Sequence, residues 1–341
     1  MTISDLSKQF ILFSSRECIG SSALYEHLAI RIANDNELIE IAAECRKGQP
    51  VPNLFFASIH YLLLKGTDHS LKDFYGSIVD QPRTYDKVFP YFKDFCASHK
   101  SQIIQLLQSK LVQTNEVRRC SYLFPAFSYI YNIAQSSMAL IEIGTSAGLQ
   151  LLWDKYSYTY DGLEGEYGSS GSNLSIASEI RGDRLPYMLL ETPPITSRIG
   201  VDLHVNKLND SGDQLWLKSL IWPEHKERML FLDKAAVISQ HESMTLIEGN
   251  GIELLSELAS KISSEDVLCI FHTHVANQFS VEDKMKLIHV ISGIGHKRDL
   301  FHLYNNIWDR ALHLDYYLDG QEHSLVLAET DGHARWFEWK V

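Results

Sequence analysis

Ile141-Glu142-Ile143-Gly144-Thr145-Ser146-Ala147-Gly148-Leu149 is the stretch that decides the fold. The apolar run 138–143 ends in an acid and a glycine, then turns through small residues into 147–155, which reads as helical. That is the strand–turn–helix step of a parallel sheet. Glycine and serine let a backbone approach a ligand closely. The start of a helix adds unpaired N–H groups and a positive dipole end. In open parallel sheets ligands bind at the carboxyl ends of the strands, where this loop belongs.

Working outward, short apolar runs at 198–202, 244–248, 267–272 and 300–304 alternate with amphipathic stretches at 251–262 and 281–291. This alternation predicts an α/β fold with a mostly parallel sheet. Runs at 324–329 and 334–341 flank Asp331-Gly332, a hairpin signal, so the sheet is expected to finish in an antiparallel hairpin. Two insertions interrupt the pattern. Residues 156–196, with Tyr156, Tyr158, Tyr160 and a Gly/Ser tract, predict an extra hairpin and a loop; residues 213–240 predict two helices broken at Trp222-Pro223. Residues 1–135 carry apolar spacings of three and four and read as all helical. The expected division is a helical region 1–135 and an α/β domain 136–341.

Composition narrows the class. The chain has 341 residues, 45% hydrophobic and 22% charged, which excludes wholesale disorder. No apolar run approaches the roughly 20 residues needed to cross a bilayer. The five cysteines form no CxxC, so neither a zinc site nor a disulfide framework is expected, and a cytoplasmic location is the simplest reading. The net charge is −12, with nearly all the acidic excess after residue 135, which makes nucleic acid an unlikely partner. Oligomeric state is not readable.

A dinucleotide fingerprint requires G-x-G-x-x-G, and here Ser146 and Leu149 occupy its second and third glycine positions. The spacing Glu142-x-Gly144-x-x-x-Gly148 instead resembles the first motif of class I S-adenosylmethionine-dependent methyltransferases, with Ser146 for the middle glycine. Ile199-Gly200-Val201-Asp202 resembles the second strand of that fold, and Ile247-Glu248-Gly249-Asn250 its third, with Asn250 for the usual Asp. The resemblance implies a Rossmann sheet binding S-adenosylmethionine. Glu142, Gly144, Thr145, Ser146 and Gly148 would form the cofactor loop, Asp202 would hold the ribose, and Gly249 and Asn250 would meet the adenine. A tight turn without a ligand, and helix capping by Asp202 or Asn250, remain open alternatives.

Two further groups carry possible chemistry. His272 and His274 share one face if both lie on a strand. They read as a general base at a methyl acceptor, as two ligands of a metal, or as ordinary polar residues at a strand's mouth. No third ligand at recognisable spacing accompanies them, so no metal is expected. Asn115, Glu116 and Arg119 stand just before the last helix ahead of the first strand, where Arg119 would suit a carboxylate of cofactor or substrate. Capping is the alternative.

The chain as a whole resembles a family of uncharacterised bacterial proteins, a domain of unknown function with a methyltransferase-like second half. Thr114-Asn115-Glu116-Val117-Arg118-Arg119, Trp153-Asp154-Lys155-Tyr156, Trp216 to Pro223 and Phe271-His272-Thr273 carry that resemblance with the cofactor loop. The function expected is methyl transfer to a small-molecule or peptide-like acceptor. A non-catalytic cofactor sensor is the main alternative, and a metal-dependent hydrolase using His272 and His274 a lesser one.

Overall fold

A computed structural model describes residues 2–189 and 192–341. Two compact units are present. One comprises residues up to Thr114 together with Asn209–Leu230; the other comprises Asn115–Leu208 and Phe231–Val341. The division therefore differs from the expected boundary at 135. The helix Cys120–Ala134 belongs with the sheet, and much of the insertion 213–240 belongs with the helices.

The helical unit shows why. Phe10, Phe13, Tyr25, Phe55 and Phe56 supply an aromatic core, with Tyr25 stacked on Phe56 at 4.2 Å. Trp222 packs edge-on against Phe13 and Tyr25, and the Glu224 carboxylate accepts from the Ser22 hydroxyl and the Leu24 N–H. Residues 209–230 thus complete that core, because an aromatic and a partly buried acid need these partners. The helices Val88–Ser98 and Lys100–Ser109 are separated at His99.

The second unit is an α/β structure on an 11-stranded mixed sheet. In chain order the strands are β1 (Met138–Ile143), β2 (Ser157–Asp161), β3 (Tyr167–Gly168), β4 (Ser175–Arg181), β5 (Ile195–Asp202), β6 (Thr245–Glu248), β7 (Val267–His272), β8 (Leu300–Tyr304), β9 (Leu312–Leu318), β10 (Gln321–Thr330) and β11 (Trp336–Trp339). The spatial order is β3-β2-β4-β11-β10-β9-β8-β7-β1-β5-β6. The segment β6-β5-β1-β7-β8 is parallel throughout and has the 3-2-1-4-5 order of a Rossmann-like sheet. All of β1 is buried, as a central parallel strand covered on both faces must be. Ile141, Ile143 and Ile270 pack with Ile252, Leu255, Leu287 and Ile291 of the helices Gly251–Ser260 and Val281–Gly295. Each such residue contributes about 1.5–3 kcal/mol on burial.

The expected closing hairpin is present, β10 pairing antiparallel with β11, but the antiparallel part is larger: β8, β9, β10 and β11 form a meander, and β9 is a strand the apolar pattern did not reveal. The two-residue turn with both residues left-handed is Asp319-Gly320, between β9 and β10. Asp331-Gly332 instead opens a wider loop, where Asp331 accepts from the His333 and Arg335 N–H groups and Ala334 takes the left-handed conformation.

Of the insertion 156–196, residues 190 and 191 lie outside the described residues. The rest does not stand apart as a hairpin. β2 pairs antiparallel with β3 and parallel with β4, and β4 pairs parallel with β11, which extends the main sheet. The three tyrosines point inward: their hydroxyls donate to the Leu149, Trp153 and Ser121 carbonyls respectively. The last bond has a clear cause. Pro125 has no N–H to give the carbonyl four residues earlier, and Tyr160 supplies the missing donor at 2.7 Å.

Candidate functional site

The direction of chain connection reverses at β1, whose neighbours are β5 and β7. The carboxyl ends of these strands are where a sheet of this type receives a ligand. The expected cofactor loop lies there, but its small residues serve the protein's own packing. Gly144 has φ +75, and a Cβ on it would stand 2.4 Å from a Val275 methyl. Gly148 has φ +77, and its Cβ would meet Met244 Sδ at 2.6 Å. Thr145 and Ser146 are buried. The segment Leu149–Lys155 is a kinked 3-10 helix of seven residues rather than an α-helix, so the expected dipole argument does not apply.

The acids organise this loop. Thr145 Oγ1 donates to Glu142 Oε2 at 2.6 Å, and Ser146 N donates to Asp202 Oδ2 at 2.8 Å. Asn206 adds two bonds to Ser146, one to its carbonyl and one to its hydroxyl. Asp202 is half-buried at the end of β5, and Leu203 beside it is 77% exposed. Gly249 N donates to the Asp202 carbonyl, so that glycine continues the β5–β6 pairing just past the end of β6. Asn250 caps the helix Gly251–Ser260, its side chain accepting from Ile252 N at 3.0 Å. The acceptor that the sequence assigned to adenine is therefore engaged locally, and the capping alternative describes it.

Glu142 is a fully buried carboxyl. Burial pushes its carboxyl well above the ordinary range and the Asp202 charge pushes the same way, while the Thr145 hydroxyl opposes them. Such a group costs nothing when both states are protonated. Above about pH 4.5 the unfolded chain ionises ahead of the folded chain, so stability falls as pH rises, by at most about 1.4 kcal/mol per pH unit for one proton. Glu142→Gln is expected to abolish that slope and to be more stable than the native protein at pH 7. Urea titrations at pH 4.5 and 7 measure it, and equal pH dependence in the two proteins contradicts it.

Across β1 from Asp202 a second set of side chains converges. Asn115 Nδ2 donates to the Thr145 carbonyl at 2.8 Å. Glu116 caps the turn Val117–Arg119 through Arg118 N, and its Oε2 lies 3.5 Å from His333 Nδ1. Arg119, 7% exposed, donates from Nε and Nη2 to the Gly332 carbonyl at 3.2 Å and reaches Thr273 Oγ1 at 3.5 Å. Gln150 bridges this segment to β7, donating to the Glu116 carbonyl and accepting from the Thr273 hydroxyl. The structure thus joins Asn115, Glu116 and Arg119 to the loops after β1 and β7.

The two histidines separate. β7 ends at His272, so His274 lies beyond the strand and the shared-face expectation fails. His272 is fully buried, with Nε2 at 3.2 Å from His302 Nε2 and its ring stacked on Tyr304. Burial pulls it down to about 3, which leaves an uncharged ring inside the sheet layer rather than at an accessible mouth. His274 adopts φ +56, with its N–H on Asn305 Oδ1 at 2.8 Å. Burial first, then Arg119, His333 and Arg310, also bring it to about 3. Among the described residues no group of three or more His, Cys, Asp or Glu is placed to hold a metal ion.

Sequence reasoning missed Gln150, Asn305 and the 331–335 loop. One signal was present: each follows a strand or turn that ends at the same side of the sheet. A backbone feature ties them together. Ser146, His274, Asn306 and Ala334 are left-handed non-glycine residues, one in each of the four loops that meet here. Strained residues of this kind, at about 1–3 kcal/mol each, persist where the surroundings over-determine them and cluster at functional sites.

No curated protein and no solved structure matches the chain. A family model does match, over residues 7–339, and on that ground the chain belongs to the bacterial family described as "Uncharacterized protein conserved in bacteria (DUF2332)".

Proposed function

We propose that this protein is a class I methyltransferase-type enzyme that binds S-adenosylmethionine beside Asp202 and methylates a small-molecule or peptide-like acceptor held across β1, near His274. The observation that carries this reading is the paired placement at the reversal point. A half-buried acid ends β5, and on the other side of β1 a polar convergence built on strained loops ends β7 and β8.

The donor set fits the ribose end of the cofactor. A carboxylate suits two hydroxyl donors, and exposed Leu203 offers apolar surface next to it. The Glu142–Thr145 and Ser146–Asp202 bonds fix the loop and aim that carboxylate. Asn250 supports the adenine contact less, since its oxygen is engaged in capping. When bound, the sulfonium supplies an electrophilic methyl group. The chain's part is alignment and exclusion of water. His274, held at about 3, orients an acceptor through a hydrogen bond and is too weak a base to take a proton readily at neutral pH. His272 serves that site only from behind, through the packing of β7 and β8.

The same low basicity favours a second reading, a cofactor-binding protein without catalysis. Calorimetry with S-adenosylmethionine tests what the two share. Binding with a Kd of order micromolar is expected, weakened at least about tenfold in Asp202→Asn, which preserves an acceptor for Ser146 N. Absence of binding, or unchanged binding in that variant, overturns both. Methyl transfer to an acceptor then distinguishes enzyme from sensor.

A further inference from the structure

Beyond the ends of β7 and β8 the groups differ in character from those around Asp202. His274 Nε2 is buried and has no hydrogen-bond partner among the described residues. A buried polar atom left so costs about 1–3 kcal/mol and calls for a partner that the protein itself does not provide. The ring is held in place from behind, by the left-handed backbone and the Asn305 bond, and Gly332 passes close to Cε1. Arg119 is anchored from the same loop by its two bonds to the Gly332 carbonyl.

The charges around His274 are unbalanced. Arg119, His333 and Arg310 oppose its protonation, and Asp331 favours it. Asp331 is engaged by Arg335, which meets both its oxygens at 2.9 Å. Glu116 faces the His333 ring. The guanidiniums of Arg119 and Arg310 thus make the surroundings of His274 favour an anion, and such planar donors suit a carboxylate. Arg310 is exposed, so the cluster opens to solvent on its side.

We propose that this convergence is a carboxylate-binding site, in which His274 Nε2 and the Arg119 and Arg310 guanidiniums receive the carboxylate of the acceptor, a small anionic or peptide-like molecule. The carboxylate site stands by itself; its assignment to the acceptor rests on the methyltransferase reading above.

The probe is N-acetylglycine, with the neutral N-acetylglycinamide and inorganic phosphate as matched arms, titrated at constant ionic strength. The readouts are histidine Cε1–H resonances and thermal denaturation. N-acetylglycine is expected to move one resonance saturably and to raise the Tm, while the amide does neither. The moving resonance is absent from His274→Gln, and affinity falls at least about tenfold in Arg310→Gln, an exposed position where folding is not at issue. Binding of phosphate but not N-acetylglycine overturns the carboxylate assignment. No response, or a response unchanged in both variants, overturns the site. Adding S-adenosylhomocysteine separates the two sources of a carboxylate: simultaneous binding supports the acceptor, and displacement assigns the site to the cofactor's methionine end instead. If N-acetylglycine binds and S-adenosylhomocysteine does not, the methyltransferase reading fails and the carboxylate site remains.

Discussion

Arg198→Met is expected to destabilise the protein by about 3–5 kcal/mol at pH 7. Arg198 and Asp154 form an ion pair with side chains 9% and 7% exposed. Arg198 Nε also donates to the Leu151 carbonyl at 3.1 Å, so one guanidinium ties the 3-10 turn after the Gly144–Gly148 loop to β5. Burial raises the Asp154 carboxyl even with Arg198 beside it. Its Oδ1 has no hydrogen-bond partner among the described residues, and Lys155 stands 3.9 Å from Oδ2. Removing the arginine leaves a buried carboxylate almost alone, which costs far more than the pair contributes. The deficit should shrink as pH falls towards 4, because the folded variant then no longer has to hold a charge that the unfolded chain also lacks. Arg198→Met with Asp154→Leu should recover most of the loss. Urea unfolding of the single and double variants measures this, and a single-variant cost below about 1 kcal/mol would show the pair to be screened by solvent.

The second large effect belongs to Gly144. Gly144→Ala is expected to cost about 2–4 kcal/mol, part from forcing an L-residue to φ +75 and part from a Cβ placed against Val275. Val275→Gly removes the atoms it would strike, so the alanine should be cheaper in that background, with a coupling of about 1–3 kcal/mol in a double-mutant cycle. Additive costs would mean that the glycine answers to backbone conformation alone. A stable Gly144→Ala protein that no longer binds S-adenosylmethionine would mean that it answers to a ligand.

The sequence carried the parallel half of the sheet well. β1, β7 and β8 are apolar runs bounded by polar residues, and their limits follow directly. β9 escaped notice because His313, Asp315 and Tyr316 break its apolar pattern, and the pairing of Tyr304 with Asp315 that makes them acceptable is a cross-strand contact. The joining of β4 to β11 pairs Glu179 with Trp336, a relation invisible to local periodicity. The return of 209–230 to the helical unit depends on what Trp222 and Glu224 find there, which no window of sequence contains.

The site was legible in the same uneven way. Asn115, Glu116, Arg119 and His274 do gather where the loops meet: His274 follows β7, and the segment ahead of the helix Cys120–Ala134 bonds to the Thr145 and Gly332 carbonyls. His272 could not be told from His274 by spacing; only the facing imidazole of His302 shows it to be interior. Asn250 shows local helix chemistry, because an Asn before a helix satisfies an N–H at once. The glycines of the loop are required, but by Val275 and Met244 rather than visibly by a cofactor.

A crystal structure with S-adenosylhomocysteine tests the account most directly. It should show the ribose hydroxyls on the Asp202 carboxylate and the sulfur directed across the end of β1 towards His274. Density for the ligand elsewhere, or none at saturating concentration with Asp202 bonded only to its own chain, would contradict it.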